Sequence, residues 1–275
     1  MKKEEVRKVV REGYAKVARG NNSCCTSSSS CCGSSTIAKD ISKKIGYSTE
    51  ELNSAPEGAN LGLGCGNPVA LASLKEGEIV LDLGSGAGFD CFLAANRVGK
   101  TGRVIGVDMT PEMLEKAREN ARKGDYKNVE FRLGEIENLP VADNHVNVII
   151  SNCVINLSSD KARVFKEAFR VLKPGGRLMV SDIVLLKELP KAIKNSVAAY
   201  IGCISGAVMK NEYIGAIRAA GFQNINIVSE DYFKIDFTTN DPTTQELVKN
   251  YDIQQSEIKN ISSSVRSIKI QAVKP

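Results

Sequence analysis

The residues of this chain best placed to do chemistry are three cysteines set far apart in sequence. Cys65 lies between Gly64 and Gly66. Cys153 stands directly behind the apolar run Val148-Ile149-Ile150, in Ser151-Asn152-Cys153-Val154-Ile155-Asn156, and Cys203 follows Gly202 and precedes Ile204-Ser205-Gly206. Any one of them alone reads as a small buried hydrophobe. Jointly they read differently, because all three fall in loops or strand ends that the order of elements directs to one face. The chain holds eight cysteines, and in a reducing compartment such a count points to metal, metalloid or redox chemistry more than to a disulfide framework. Its one histidine, His145, sits in the polar turn Val141-Ala142-Asp143-Asn144-His145 and reads as a solvated turn residue.

A second set of motifs describes a nucleotide site. Val80-Leu81-Asp82-Leu83 runs into Gly84-Ser85-Gly86-Ala87-Gly88-Phe89-Asp90, an apolar strand ending in alternating glycines that open a helix. Such a turn lets backbone approach a bound nucleotide. The next strand, Arg103-Val104-Ile105-Gly106-Val107-Asp108, ends about 20 residues past the loop in a carboxylate able to accept hydrogen bonds from ribose hydroxyls. The glycines are spaced Gly-x-Gly-x-Gly rather than Gly-x-Gly-x-x-Gly, which turns the reading away from NAD.

These residues need a frame to position them. From Ile79 onward, strands near 79–84, 103–108, 129–133, 146–151 and 177–182 alternate with helices near 89–98, 111–123 and 159–172, the pattern of a parallel α/β sheet with helices on both faces. Pro111 opens a helix at its first turn, and Lys173-Pro174-Gly175-Gly176 stops the next one before a strand. Beyond Asp182, helices are expected over Leu189–Gly202 and Asn211–Ala220. Strands are expected over Asn224–Ser229 and Ser267–Val273, closing the sheet edge as an antiparallel pair. The segment 186–218 interrupts the alternation where an insertion would cover a substrate.

Ahead of the sheet, Met1–Arg19 is a charged amphipathic helix, and 20–35 is a low-complexity loop carrying Cys24-Cys25 and Cys31-Cys32. Helical patterns over 37–45 and 49–53 lead into the glycine-rich loop Leu61–Pro68. Three units follow: 1–60, an N-terminal helix and cysteine-serine loop; 61–185, the nucleotide-binding domain; and 186–275, a substrate-covering insertion with the last strands. With 275 residues, 42% of them hydrophobic, the chain can bury a substantial core. The net charge of +5 is scattered, which argues against nucleic acid as a partner. No window approaches the length of a membrane span, so no membrane association and a cytoplasmic location are expected.

With these motifs in register the chain resembles the S-adenosylmethionine-dependent methyltransferases of class I, whose Rossmann-like sheet is mostly parallel with an antiparallel last strand. Their first motif is similar to Leu81–Gly88, their second-strand carboxylate to Asp108, and their adenine-contacting segment to Leu133-Gly134-Glu135-Ile136. The resemblance implies S-adenosylmethionine as cofactor. Its site would be built from Asp82, Gly84, Ser85, Gly86, Gly88, Asp90, Asp108, Met109, Gly134, Glu135, Ile136 and Asn152.

More narrowly, the chain is similar to the arsenite methyltransferases at Gly64-Cys65-Gly66, at Ser151-Asn152-Cys153-Val154-Ile155-Asn156-Leu157, and at Gly202-Cys203 with Ile204 and Gly206 following. The likeness runs from about Tyr14 to Asp182 and more weakly through Pro275. It implies that Cys65, Cys153 and Cys203 are catalytic and hold As(III), and that arsenite and methylarsenicals are the substrates. Trivalent arsenic is soft and prefers thiolates. Three sulfurs in a pyramid leave its lone pair facing outward, and in-line attack on a methyl group then needs positioning and no general base. In that family the enzyme's own thiols reduce oxidised arsenic, and thioredoxin or glutathione restores them.

The pairs Cys24-Cys25 and Cys31-Cys32 admit three readings: a zinc site, a redox relay or arsenic capture. Adjacent cysteines depart from Cys-x-x-Cys and serve one tetrahedral ion poorly, whereas an exposed loop suits thiol exchange. Cys91, on the helix behind the glycine loop, reads as packing against the sheet. Two rival functions stand beside arsenite methylation. A methyltransferase of a small organic molecule would usually want a base near the donor, and a non-catalytic thiol-rich metalloid carrier would have no reason to bind the donor.

Overall fold

The computed structural model describes residues 3–20, 34–189, 203–232 and 264–275. Seven strands, β1 (Ile79–Leu83), β2 (Arg103–Asp108), β3 (Val129–Leu133), β4 (Val146–Asn152), β5 (Leu172–Leu185), β6 (Gln223–Tyr232) and β7 (Val265–Val273), form one sheet in the order β3-β2-β1-β4-β5-β7-β6. The first five run parallel. β7 lies antiparallel between β5 and β6, so the expected antiparallel closure is present at that edge.

The central strands are apolar on both faces because helices cover both. Leu81, Leu83, Ile105, Val107 and Ile149 share one core with Val164 and Phe165 of α7 (Lys161–Val171) and Tyr213 and Ile217 of α8 (Lys210–Ala219). Val80, Val104, Val148 and Ile150 face the other core, with Phe92 and Leu93 of α5 (Phe89–Val98) and Leu114 and Ala117 of α6 (Pro111–Lys123). Before the sheet come α1 (Lys3–Ala18), α2 (Ser34–Lys44), α3 (Thr49–Ser54) and the single turn α4 (Pro68–Leu71). A capping box between Ser48 and Glu51 starts α3. Among the described residues no helix is long and apolar enough to cross a membrane.

The order of strands reverses between β1 and β4, and such a switch point leaves a crevice beyond the carboxyl ends. In the register, Leu83 pairs with Val107 on one side and Ser151 on the other, and Asn152 pairs with Ser181. The glycine loop, Asp108, Asn152 and the middle of β5 therefore share one edge.

β5 is longer than its expected span of 177–182. Pro174, Gly175 and Gly176 do stop α7, but they form a bulge inside the strand. Register with β4 jumps from Val146↔Leu172 to Val148↔Arg177, and the Gly175 N–H and Gly176 carbonyl bond to Lys274. A bulge is one of the few places a sheet accepts proline. At its far end β5 continues to Leu185, paired with Val265 of β7. The helix expected over Leu189–Gly202 lies outside the described residues apart from Leu189.

Candidate active site

The loop after β1 is tied down by its neighbour: the Gly84 and Ser85 N–H groups donate to the Val107 carbonyl at 2.8 and 3.0 Å. Asp108 completes the turn, accepting from the Gly86 N–H at 2.9 Å and the Thr110 N–H at 2.8 Å. Burial pushes its carboxyl up, partly offset by those N–H donors. Above the loop opens a cleft of about 1100 Å³, counting the space open to solvent. Asp82, Gly84, Ser85, Gly86, Asp90, Asp108, Met109, Gly134, Ile136 and Asn152 all line it, as the motifs implied.

Two members of that set do not reach the cleft wall. Gly88 serves helix packing instead, since a Cβ there would meet Phe131 and Phe92 at 2.8 Å. Glu135 turns toward α1, where it pairs with Arg7 at 3.4 Å.

Two buried carboxyls, Asp82 and Asp90, and the half-buried Asp108 crowd this cleft. Asp82 is pushed well up by burial and by Asp90, and accepts from the Cys91 thiol at 3.2 Å. That contact places Cys91 in the helix–sheet core and away from the other cysteines. Burial raises Asp90 to about 6, offset by Tyr47 and Asn152; Tyr47 donates to it at 2.6 Å and Asn152 at 3.0 Å. Tyr47, on the loop between α2 and α3, carries no motif and was invisible in the sequence.

Asn152 joins the nucleotide side of the site to the thiols. Its amide N–H₂ also donates to the Gly66 carbonyl at 2.9 Å, while its side-chain oxygen accepts from the Cys65 N–H at 3.0 Å. The loop can press this close only because Cys65 is flanked by glycines. A Cβ at Gly64 would fall 2.6 Å from the Asn152 amide nitrogen, and one at Gly66 would fall 1.9 Å from Ser181 Oγ.

The structure brings Cys65, Cys153 and Cys203 into one buried cluster at the carboxyl ends of β4 and β5. The Cys203 thiol donates to the Cys153 carbonyl at 2.8 Å, and the Cys65 thiol to the Ser181 carbonyl at 3.4 Å. From β7, Ser267 donates to the Cys65 carbonyl at 2.9 Å. Cys153 and Cys203 hold φ of 60° and 63°, a left-handed backbone uncommon for side chains with a Cβ and one that recurs at functional sites. Of the three, Cys153 lines the cleft. Hydrogen bonding with the Cys203 and Cys65 thiols, then burial, pushes its thiol well up, and burial likewise raises Cys65.

A carboxylate that the motifs did not single out belongs to this cluster. The Asp182 carboxylate and the Cys65 and Cys153 sulfurs lie within 4.8 Å of one another. Asp182 is fully buried and accepts from Asn156 at 2.7 Å, the Ile183 N–H at 2.8 Å and Tyr213 at 2.9 Å. Burial raises it to about 6 against those donors and the Lys161 ammonium. Tyr14 of α1 also lines the cleft, its phenol raised by burial and then by Cys203 and Cys153. Its only sequence signal was a polar aromatic on an amphipathic helix. Cys24, Cys25, Cys31 and Cys32 lie outside the described residues, and His145 sits at the opposite, amino end of β4, its N–H bonded to the Val171 carbonyl.

A methyltransferase-domain family model matches residues 74–221. An arsenite methyltransferase of Halobacterium salinarum is 50% identical over 234 residues, which is 83% of this chain and 60% of that protein. A solved structure described as an arsenic(III) S-adenosylmethionine methyltransferase of Chlamydomonas reinhardtii superposes with a TM-score of 0.65 at 33% identity, covering 85% of this chain and 73% of that one. The chain belongs to the arsenite methyltransferase family. A human arsenite methyltransferase is 34% identical over 210 residues, 73% of this chain and 55% of that protein. The chain thus spans between about half and 60% of the length of these curated family members. The family's Rossmann-like class I sheet, mostly parallel with its last strands antiparallel, is the sheet observed.

Proposed function

We propose that this chain methylates arsenite, with trivalent arsenic held as substrate by the thiolates of Cys65, Cys153 and Cys203 and the methyl group taken from S-adenosylmethionine. The observation that carries the reading is the convergence of three thiols, from three separate segments, on the end of a nucleotide cleft, joined to it through Asn152.

The cleft suits this donor. Asp108 would accept hydrogen bonds from the ribose hydroxyls, Gly134 and Ile136 would hold the adenine, and the crowded carboxyls Asp82, Asp90 and Asp108 favour a cationic ligand that relieves their repulsion. When bound, S-adenosylmethionine supplies a methyl group on positively charged sulfur, an electrophile. The protein's part is to bind and to aim. The buried thiols exchange their protons for arsenic as the hydroxyls of arsenite leave as water. The fixed backbone of Cys153 and Cys203 holds the sulfurs in place, and burial among Ile183, Leu157 and Ile204 keeps bulk water away. Attack by an arsenic lone pair removes no proton, so no side chain is assigned as general base.

Thioredoxin or glutathione restores the thiols after oxidised arsenic is reduced, with Cys24, Cys25, Cys31 and Cys32 as the relay, and the cytoplasm is where such thiols stay reduced. The test is incubation with arsenite, S-adenosylmethionine and a thiol, followed by arsenic speciation by mass spectrometry. Methylarsenicals are expected; their absence under reducing conditions overturns the reading.

A further inference from the structure

Arsenic bound by three sulfurs has no use for a fourth ligand, because its lone pair occupies that direction. Yet the carboxylate of Asp182 lies within 4.8 Å of the Cys65 and Cys153 sulfurs, among which Cys203 is not counted. A set of two thiolates and one carboxylate is unsuited to trivalent arsenic and well suited to a thiophilic divalent cation. In tetrahedral zinc sites with bonds of about 2.3 Å to sulfur, neighbouring sulfurs are about 3.8 Å apart. The donors here need to close by little more than about 1 Å to reach that geometry.

The carboxylate is also held as metal-binding carboxylates are held. One of its oxygens accepts from Asn156 and the Ile183 N–H, and the other accepts from Tyr213, which leaves that second oxygen a lone pair. Such outer partners orient a ligating group and are part of a metal site's design. Access comes through the cleft, whose wall includes Cys153.

We propose that Cys65, Cys153 and Asp182 form a binding site for a soft divalent cation of the cadmium or zinc class, which shares two sulfurs with arsenite and so excludes it. As the ion binds, the two thiols release their protons to solvent and two metal–sulfur bonds and one metal–oxygen bond form. Water entering from the cleft takes the fourth position. The two ligands thereby make opposite demands: arsenite needs Cys203 and ignores Asp182, while the divalent ion needs Asp182 and not Cys203.

The proposal does not require methylation, and its test runs without the methyl donor. In the full chain with Cys24, Cys25, Cys31 and Cys32 replaced by serine, Cd²⁺ is titrated through the thiolate-to-metal charge-transfer band, and arsenite by equilibrium dialysis. Asp182→Asn is expected to weaken Cd²⁺ at least about tenfold, the loss of one metal-oxygen ligand, and to leave arsenite affinity within about threefold. Cys203→Ser is expected to do the reverse. Equal Cd²⁺ affinity in Asp182→Asn and its parent overturns the site, as does an equal loss of both ligands. Should Asp182→Asn fail to fold, cadmium X-ray absorption on the parent decides: two sulfurs with oxygen neighbours support the site, and a shell of three sulfurs overturns it. A parent that binds Cd²⁺ but no arsenite contradicts the arsenic reading and leaves this one standing.

Discussion

The nucleotide side and the thiol side of the site are built on opposite plans. The glycine loop, Asp82, Asp90 and Asp108 come from two consecutive strand-turn-helix units, and Asp108 is held by backbone of those same units, the Gly86 and Thr110 N–H groups. The thiol side is assembled from distant pieces: Cys65 on a loop before the sheet, Cys153 behind β4, Cys203 beyond β5, with β7 supplying Ser267 from 202 residues away. The first plan gives a preformed cleft for a ligand that recurs in many enzymes. The second specialises it, and two of its three sulfurs sit on left-handed backbone that the packing has to enforce.

Separability of the two sides is the sharpest thing to break. Cys153→Ser should lower methylation by at least about 100-fold, the scale of a misplaced reacting group, while donor affinity by calorimetry stays unchanged. Asp108→Asn should do the converse. Donor affinity falls about tenfold or more, the worth of one charged hydrogen bond, and arsenite still binds by equilibrium dialysis. Asn152→Ala is the exception that measures the coupling. It removes bonds to Tyr47, Asp90, Gly66 and Cys65 at once, so both ligands should weaken and urea unfolding should show a loss of about 2 kcal/mol.

A smaller effect distinguishes the sides by pH. Burial holds Asp90 at about 6, above its ordinary value, so its charge is lost as pH falls through that value. A cationic donor should therefore bind more weakly below about pH 6 and reach full affinity near neutrality, as read by calorimetry across that range. Arsenite should show little such dependence, since each thiol proton leaves with an arsenite hydroxyl as water and none is released to solvent. Smallest of all, Cys91→Ala should cost about 1 kcal/mol of stability with methylation nearly unchanged, because Cys91 touches Asp82 and the core but not arsenic.

The same contrast explains what could be read before the fold was known. The sheet, its helices and most of the residues that line the cleft were legible because they rest on local signals: alternating elements, glycine spacing, a carboxylate at a strand end. Gly88 and Glu135 were assigned to the cleft because a motif does not say which of its members pack and which line. On the thiol side the cysteines announced themselves by their neighbours, but Asp182, Tyr47 and Tyr14 did not. Asp182 sits in an ordinary apolar strand, Val180-Ser181-Asp182-Ile183, and its role arises only when β5 lies beside β4 and sets it against Cys65 and Cys153. Such information is carried by register and loop path, which no local pattern encodes. The bulge at Pro174 was hidden for a related reason, since strand-breaking residues look alike whether they end a strand or kink it.

The central claim, that three separated thiols hold one arsenic at the end of the donor cleft, is tested most directly by arsenic X-ray absorption. The sample is the arsenite-loaded chain with Cys24, Cys25, Cys31 and Cys32 changed to serine. The account predicts three sulfur neighbours and no oxygen, falling to two sulfurs and one oxygen in Cys203→Ser. Arsenic with fewer than three sulfurs in the parent, or with a shell unchanged by Cys203→Ser, would contradict it.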